Sequence, residues 1–563
     1  MRVLLELLGE NPFKVRAYEG AVRTLETLNE DLGTLIAQKR LKGQPGIGAA
    51  IAEKIEELYT TGALPYYIGL KKQVPAGLLE WLSITGLGPK RARALHIALG
   101  IETLEELKQA CEDGRVAAVA GFGAKTAQNI LHGMAQRAAY GARYLWWTVQ
   151  PQAEAIIEGL RALPGVSHAE MAGSYRRKLE TVGDLDCLVA AQNPQAVMDW
   201  FVSRPGVEAV TAHGDTKSSV RLDGGLQVDL RVVPQAQFAF ALHHFTGSKD
   251  HNVKMRHRAL TQGLSLSEWG LRQDREQGAY ESFGVDSETK LFAHLGLHYI
   301  EPELREGSDE IDLAEQGELP RLIELGDLRG AFHNHTQASD GEASLEEMAA
   351  GAEVLGWEYL GISDHSKSSW QANGLSEARL LEQVATIHQL NEAQRFKVHL
   401  FAGVECDILK DGTLDYEDAV LAELDYVVAS VHSSFSLDEA AMTARIIRAL
   451  ENPYVTMLGH PTGRLLLKRE PYAVNMAKVI DAAIANRKII ELNATPQRLD
   501  MDWRLWRRAS ERGLLCSINP DAHSVEGLGF VRAGVNVARK GFLQKHSVFN
   551  TRTLSDIKQY LNY

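Results

Sequence analysis

Nine histidines and carboxylates in the second half of the chain have the types and spacing of metal ligands. His333 and His335 stand one residue apart in AFHNHTQASDG, with Asp340 five residues on. SDHS carries His365, AGVEC Glu405, SVHS His432, LGHP His460, and INPDAH both Asp521 and His523. Each group ends a short apolar run (YLGIS, HLFAGVE, YVVASVH, VTMLGH, LLCSIN), and helix-like stretches separate the runs. Polar residues at the C-terminal ends of alternating strands are how a (β/α) barrel builds a site. A lone histidine is more often a satisfied core or surface residue, but nine donors at equivalent places are not explained that way. Mixed imidazole and carboxylate in that number exceeds one ion's shell and suits two or three Zn²⁺, Mn²⁺ or Fe²⁺ ions better than Ca²⁺. Ions clustered about 3.5–4 Å apart activate water and orient a phosphodiester, so phosphoester hydrolysis is the expected chemistry.

A second acidic constellation precedes the first. In GDLDCLV, alternation puts Asp184 and Asp186 on one face of a strand and Leu185 and Cys187 on the other. Side-by-side carboxylates repel, a cost that a bridging divalent cation removes, and oxygen-only ligands suit Mg²⁺ with nucleotide phosphates completing its shell. Asp229, in the alternating LQVDLRVV, is a third acid able to complete a two-metal site acting on a 3′-hydroxyl and a triphosphate. Upstream, Gly173, Ser174 and Arg177 offer backbone, hydroxyl and guanidinium donors for that triphosphate.

The elements before these sites carry a repeat: GIGAAIA at Gly46–Ala52, GLGPKRA at Gly86–Ala92 and GFGAKTA at Gly121–Ala127. Each reads Gly, apolar, Gly, three residues, Ala, and runs into a helix-like stretch. Glycines at such a turn let backbone N–H groups approach a phosphate at the positive end of a helix dipole. The contact holds a DNA backbone without reading its sequence. One copy is equally an ordinary turn between helices. Three copies, two accompanied by Lys90 or Lys125, favour helix-hairpin-helix units with Gly46, Gly48, Gly86, Gly88, Gly121 and Gly123 at the contact. Lys54 lies on the amphipathic IAEKIEEL after the first turn, where an amine could form a Schiff base with a sugar aldehyde if Lys14 or Arg16 lowers its pKa.

At 563 residues the chain exceeds one core and divides into about three or four domains. Its 45% hydrophobic and 24% charged residues are ordinary for a soluble protein. No apolar run reaches the roughly 18 residues needed to span a bilayer, and the N-terminus lacks a signal peptide's basic flank and cleavage site. A cytoplasmic location is expected. Four dispersed cysteines without a CxxC exclude a disulfide framework and a zinc ribbon. The net charge of −13 alone disfavours nucleic acid, yet residues 1–150 hold 18 Lys and Arg against 15 Asp and Glu, a balance of +3 that leaves −16 for the rest. Residues 301–326, rich in acid and poor in periodicity, read as a loosely packed linker.

With FTGSKDHNVKMR (Phe245–Arg256) following the third aspartate, residues 1 to about 300 resemble a family X DNA polymerase, similar in layout to DNA polymerase beta. The resemblance implies that Asp184, Asp186 and Asp229 bind Mg²⁺ or Mn²⁺ and that Ser174 and Arg177 contact triphosphate. By the same match the Phe245–Gly247 turn packs against the incoming sugar, Asn252 reaches the nucleotide's minor-groove edge and Arg256 the template side. Lys54 falls on the family's lyase lysine and Lys14 on its 5′-phosphate lysine. Two departures stand out. His244 replaces a tyrosine beside the sugar, and Ala50 a second lysine of the lyase helix.

Residues 327–563 resemble a PHP (polymerase and histidinol phosphatase) domain with all nine ligand positions filled. The whole chain is thus similar to a bacterial family X DNA polymerase with a C-terminal PHP domain. The implied fold is multidomain: α-helical helix-hairpin-helix domains, an α+β nucleotidyltransferase palm and a distorted (β/α)7 PHP barrel. The implied boundaries are a lyase-like domain at 1–75, DNA-binding fingers at 76–142, palm at 143–231, nucleotide-selection thumb at 232–300, linker at 301–326 and PHP domain at 327–563. The implied activities are gap-filling DNA synthesis in base excision repair and a metal-dependent 3′-to-5′ exonuclease, with AP endonuclease activity also implied. A monomer acting on gapped or nicked DNA and dNTPs is expected. HPTGR with Arg464, and nearby Lys468 and Arg469, read either as phosphate contacts or as a basic loop. A histidinol-phosphatase-type enzyme with a degenerate DNA-binding arm is the rival reading, which the three aspartates weigh against. A scaffold bridging nicked DNA would leave twelve metal ligands without use.

Overall fold

The computed structural model describes residues 1–26, 32–44, 46–61, 64–82, 84, 87–140, 143–273 and 279–561. The chain forms two compact units, Met1–Gly141 and Ala142–Tyr563. Among the described residues no helix is long and apolar enough to cross a membrane. The four cysteines are free and buried.

The first unit is helical among its described residues, and its repeats fold alike. The apolar residue of each repeat, Ile47, Leu87 or Phe122, is buried, while Gly48, Gly88 and Gly123 are exposed. The second glycine accepts the first helical hydrogen bonds each time: Ala52 N–H to Gly48 O at 2.9 Å, Ala92 to Gly88 at 3.0 Å and Ala127 to Gly123 at 3.1 Å. These glycines head helices Ala49–Thr61, Pro89–Leu99 and Ala124–Tyr140. Gly46 and Gly121 have φ of 74° and 83°, a left-handed backbone that L side chains resist. Gly86 lies outside the described residues.

The second unit begins with a five-stranded sheet: β1 (Val166–Met171), β2 (Asp184–Ala191), β3 (Val207–His213), β4 (Lys217–Leu222) and β5 (Gln227–Val233), in the order β1-β2-β5-β4-β3. The central pair, β2 and β5, is parallel. Helices Trp146–Arg161 and Pro194–Ser203 bury Ile156, Leu160, Met198 and Phe201 in this sheet's core. Helices Phe238–Thr246, Lys249–Thr261 and Glu288–His294 follow.

Seven parallel strands then run in sequence order: β6 (Gly330–Ala331), β7 (Tyr359–Ile362), β8 (His399–Asp407), β9 (Tyr426–Ser430), β10 (Met457–Leu458), β11 (Ile489–Asn493) and β12 (Cys516–Asn519). Strands β9, β11 and β12 are buried along their length, as strands covered on both faces must be. The barrel nearly closes: Phe332 N–H donates to Asn519 Oδ1 at 3.1 Å and His335 N–H to Ala522 O at 2.8 Å.

The acidic segment corrects an expectation. Residues 301–326 are folded rather than loosely packed, with a helix at Glu310–Gln316. Arg305 and Glu310 are fully buried, and Ile323 joins the barrel core. Its charges are matched: Arg305 pairs with Glu288 at 2.5 Å, and His251 Nδ1 donates to Glu310 at 2.8 Å. Composition reported the charge but not the partners that neutralise it.

Candidate active sites

In the barrel the nine expected ligands meet at the strand ends. His335, Asp340, His365 and His523 offer ligand atoms within 4.8 Å of one another, as do His333, His335 and Asp521, and His365, Glu405 and His432. Glu405 is the hub. Its Oε1 lies 3.3 Å from His333 Nε2, 3.1 Å from His432 Nε2 and 2.8 Å from His460 Nε2, and its Oε2 lies 2.9 Å from His365 Nδ1 and 3.8 Å from His335 Nε2. His333 and His335 form a dry floor, whereas Asp340 and His523 reach the solvent edge.

The donor set fits divalent cations. His335 Nδ1 and His460 Nδ1 are buried without a hydrogen-bond partner, which is costly unless something else satisfies them. His460 and Asp521 hold left-handed backbone, φ 23° and 50°, strain of the kind that collects at functional sites. Burial, reinforced by His523 and His365, depresses the His335 pKa to about 4, so the ring is the neutral donor a metal needs.

A supporting layer escaped sequence reasoning. Glu491 accepts from His333 Nδ1 at 2.7 Å, from the His460 backbone N–H at 2.7 Å and from Asn519 Nδ2 at 3.1 Å. Asp407 accepts from His432 Nδ1 at 3.1 Å and from Ser369 Oγ at 2.7 Å. Each fixes a ring so that the other nitrogen faces the cluster. The signal existed: Asp407 is two residues from Glu405 on β8, hence on the same face. Arg498, with Nε 3.5 Å from Asp521 Oδ2, is a further cation at the site. The basic loop is otherwise engaged. Arg464 is buried and pairs with Glu180 of the palm at 3.3 Å and Asp502 at 3.3 Å. Lys468 bonds Gln497, and Arg469 bonds the Gly463 carbonyl over the Phe435 ring.

In the palm, register makes Asp186 and Asp229 direct neighbours on parallel β2 and β5, with Asp184 one pleat away opposite Gln227. Gly173 lies against them at φ 60°, where an added Cβ would meet Asp186 Oδ2 at 2.2 Å. Burial, then Asp184 and Asp229, raises the Asp186 pKa to about 6, and burial and Asp229 raise that of Asp184. Such mutual repulsion is what a divalent cation relieves. Asp229 is meanwhile held by Lys217 at 2.7 Å and Gln227 at 3.0 Å, neither anticipated. Among the described residues, groups of three donors within 4.8 Å occur in the barrel and not in the palm.

Other expected palm residues converge. His244, Asn252 and Arg256 line one small hollow with Leu266 and Ser267. Asn252 Nδ2 donates to the His244 carbonyl at 2.7 Å, and Arg231 stacks 4.5 Å over Phe245. Ser174 is half-buried in the short helix Gly173–Arg176. Arg177 is paired with Glu306 at 3.1 Å and donates to the Thr246 carbonyl at 2.5 Å, beside Gly247. In the helical unit, Lys14 and Lys54 share the Tyr66 ring, 5.8 and 4.9 Å from its centre. Lys14 also pairs with Glu10, which with Tyr66 raises its pKa. Lys90 and Lys125 are exposed beside their glycines.

A polymerase palm joined to a PHP barrel is the class that fold and sites define, and comparison with known proteins agrees. Family models match for a helix-hairpin-helix domain at residues 1–64, a SAM-like helix-hairpin-helix tandem at 78–133, a DNA polymerase beta thumb at 241–306 and a PHP domain at 331–495. The chain is 40% identical over 562 residues to the DNA polymerase/3′-5′ exonuclease PolX of Bacillus subtilis (strain 168), covering 99% of this chain and 97% of that one. It is 29% identical to DNA polymerase lambda of Rattus norvegicus over 46% of this chain and 48% of that one. A probable phosphatase of Thermoanaerobacter sp. (strain X514) is 28% identical over 41% of this chain and 92% of its own. The chain belongs to the bacterial family X DNA polymerases that carry a C-terminal PHP domain.

Proposed function

We propose that this enzyme fills short gaps during base excision repair and trims the same 3′ ends when synthesis stalls. It is a DNA-directed DNA polymerase with a 3′-5′ exonuclease. The observation that carries the two-site reading is one compact unit holding both the Asp186–Asp229 strand register and the five histidines around Glu405.

In this reading Asp184, Asp186 and Asp229 hold Mg²⁺ or Mn²⁺, and the nine barrel ligands hold two or three Zn²⁺, Mn²⁺ or Fe²⁺ ions. Divalent cations, when bound, supply Lewis acidity toward a 3′-hydroxyl or water and offset charge on phosphate oxygens. The chain's own residues do the rest. Ser174 and Arg177 orient the triphosphate, Phe245 and Gly247 the sugar, Asn252 the base edge and Arg256 the template. His244 stands where sugar discrimination is exercised. Gly46, Gly48, Gly86, Gly88, Gly121 and Gly123, with Lys90 and Lys125, hold the DNA backbone. Lys14 takes a 5′-phosphate and Lys54 serves an accessory lyase step. Glu491 and Asp407 keep His333 and His432 oriented. A monomeric, cytoplasmic enzyme completes the proposal, with the domain boundaries given above except that residues 301–326 form a folded connector.

The test is a one-nucleotide gapped duplex with Mn²⁺, with and without the templated dNTP. Extension with nucleotide and shortening without it is expected. Release of phosphate from small phosphomonoesters, with no change in primer length, would overturn the reading in favour of a phosphatase.

A further inference from the structure

The barrel reaches the nucleotide turn of the palm through one buried cation. Lys540 ends the helix Val531–Lys540 and is fully buried. Its ammonium donates to Glu306 Oε1 and to the carbonyls of Arg177 and Glu303, each at 3.2 Å, and lies 4.7 Å over the Trp503 ring. Arg539 beside it holds Glu303 at 2.8 Å. The same Glu306 oxygen accepts from Arg177 Nε at 3.1 Å. One carboxylate oxygen therefore serves two cations, one from the palm and one from the barrel.

A triphosphate reaching Arg177 competes with Glu306 for the guanidinium. If Arg177 leaves, Glu306 remains half-buried and must keep a cation, because an uncompensated carboxylate there is costly. Lys540 is in place to be that cation, fixed by two carbonyls and an aromatic face. We propose that Lys540 is a positioning residue by which the PHP domain sets the nucleotide affinity of the polymerase site. It holds Glu306 so that Arg177 can turn to the incoming triphosphate. The inference rests on Arg177 being a triphosphate ligand.

The experiment measures single-nucleotide insertion and exonuclease activity in the full chain. Lys540→Met keeps an unbranched apolar stem of similar length but removes the ammonium from Glu306 and from the Trp503 ring, leaving Glu306 to Arg177. The dNTP KM should rise roughly tenfold, the scale of one charge-assisted hydrogen bond. Turnover number and exonuclease rate should stay within about twofold of the parent, and Lys540→Arg should recover most of the KM. Glu306→Gln, which frees Arg177 without removing Lys540, should hold or lower the KM. It keeps the inference testable if Lys540→Met folds poorly. An unchanged KM in a folded Lys540→Met, or a raised KM in Glu306→Gln, overturns the inference. Arg177→Lys runs in parallel. No rise in its dNTP KM defeats the triphosphate reading itself, whereas a rise there without one in Lys540→Met defeats only the role of Lys540.

Discussion

Glu491 Oε1 accepts the Nδ1 proton of His333 at 2.7 Å, inside a barrel where both side chains are fully excluded from solvent. The other oxygen takes the His460 backbone N–H at 2.7 Å. One carboxylate thus sets the tautomer of one proposed ligand and the backbone of another. Losing such a partner weakens metal affinity or activity by about 10–100-fold. Glu491→Gln should lower exonuclease rate and metal content in that range and leave nucleotide insertion intact. Metal analysis beside both assays checks it, and full metal content with full exonuclease activity would sink it.

Separate sites predict separable loss. Asp184→Ala should abolish incorporation and spare the exonuclease, and His335→Ala should do the reverse. Primer-length gels on gapped DNA read both. Loss of both activities in either variant would mean the sites are coupled.

Gly173 tests the palm geometry without replacing any of the three proposed metal-binding aspartates. A methyl group there meets Asp186 Oδ2 at 2.2 Å and must hold φ 60°. Displacing a reacting group by about 1 Å costs on the order of 10²-fold. Gly173→Ala should cut insertion by about that factor with exonuclease retained, as steady-state rates will show.

Arg464 was a candidate phosphate contact and is instead a buried tie between barrel and palm through Glu180. Breaking a buried pair costs roughly 3–5 kcal/mol. Arg464→Ala should lower the denaturation midpoint of the unit and leave the exonuclease KM for DNA unchanged. A raised KM with unchanged stability would restore the phosphate role.

Burial holds the His243 pKa well below its usual value, helped by His251 and Arg305 and opposed by Glu288, and burial also lowers that of His251 despite Glu310. Unfolded histidine takes up a proton near pH 6.5 while native His243 does not, so the unfolded state binds more protons and stability falls as pH drops below about 6.5. His243→Gln should flatten that dependence by up to one proton between pH 7.5 and 5.5. Melts of variant and parent in chelator provide the comparison, and identical slopes would contradict it.

Much of each site was legible because local spacing encodes it. The i, i+2 placement of Asp184 and Asp186 fixes one face of β2, and ligands following apolar runs mark the ends of barrel strands. The repeated Gly-apolar-Gly pattern likewise specifies a buried anchor, Ile47, Leu87 or Phe122, followed by an exposed glycine. ELN on a buried strand carries no ligand signature, and Glu491 takes its role only from β11 lying beside β12, where Asn519 donates to it. The acidic stretch at 301–326 misled because charge composition is blind to partners such as Arg539.

The sequence by itself determined which residues share a face and which turn heads each helix, because strand and helix periods act over a few residues. Only the tertiary structure decided that Asp229 stands beside Asp186, that Lys217 holds Asp229, and that Arg464 and Lys540 join barrel to palm. Those contacts depend on sheet order and on how one buried surface docks on another, relations between residues as many as 363 positions apart that no local pattern carries.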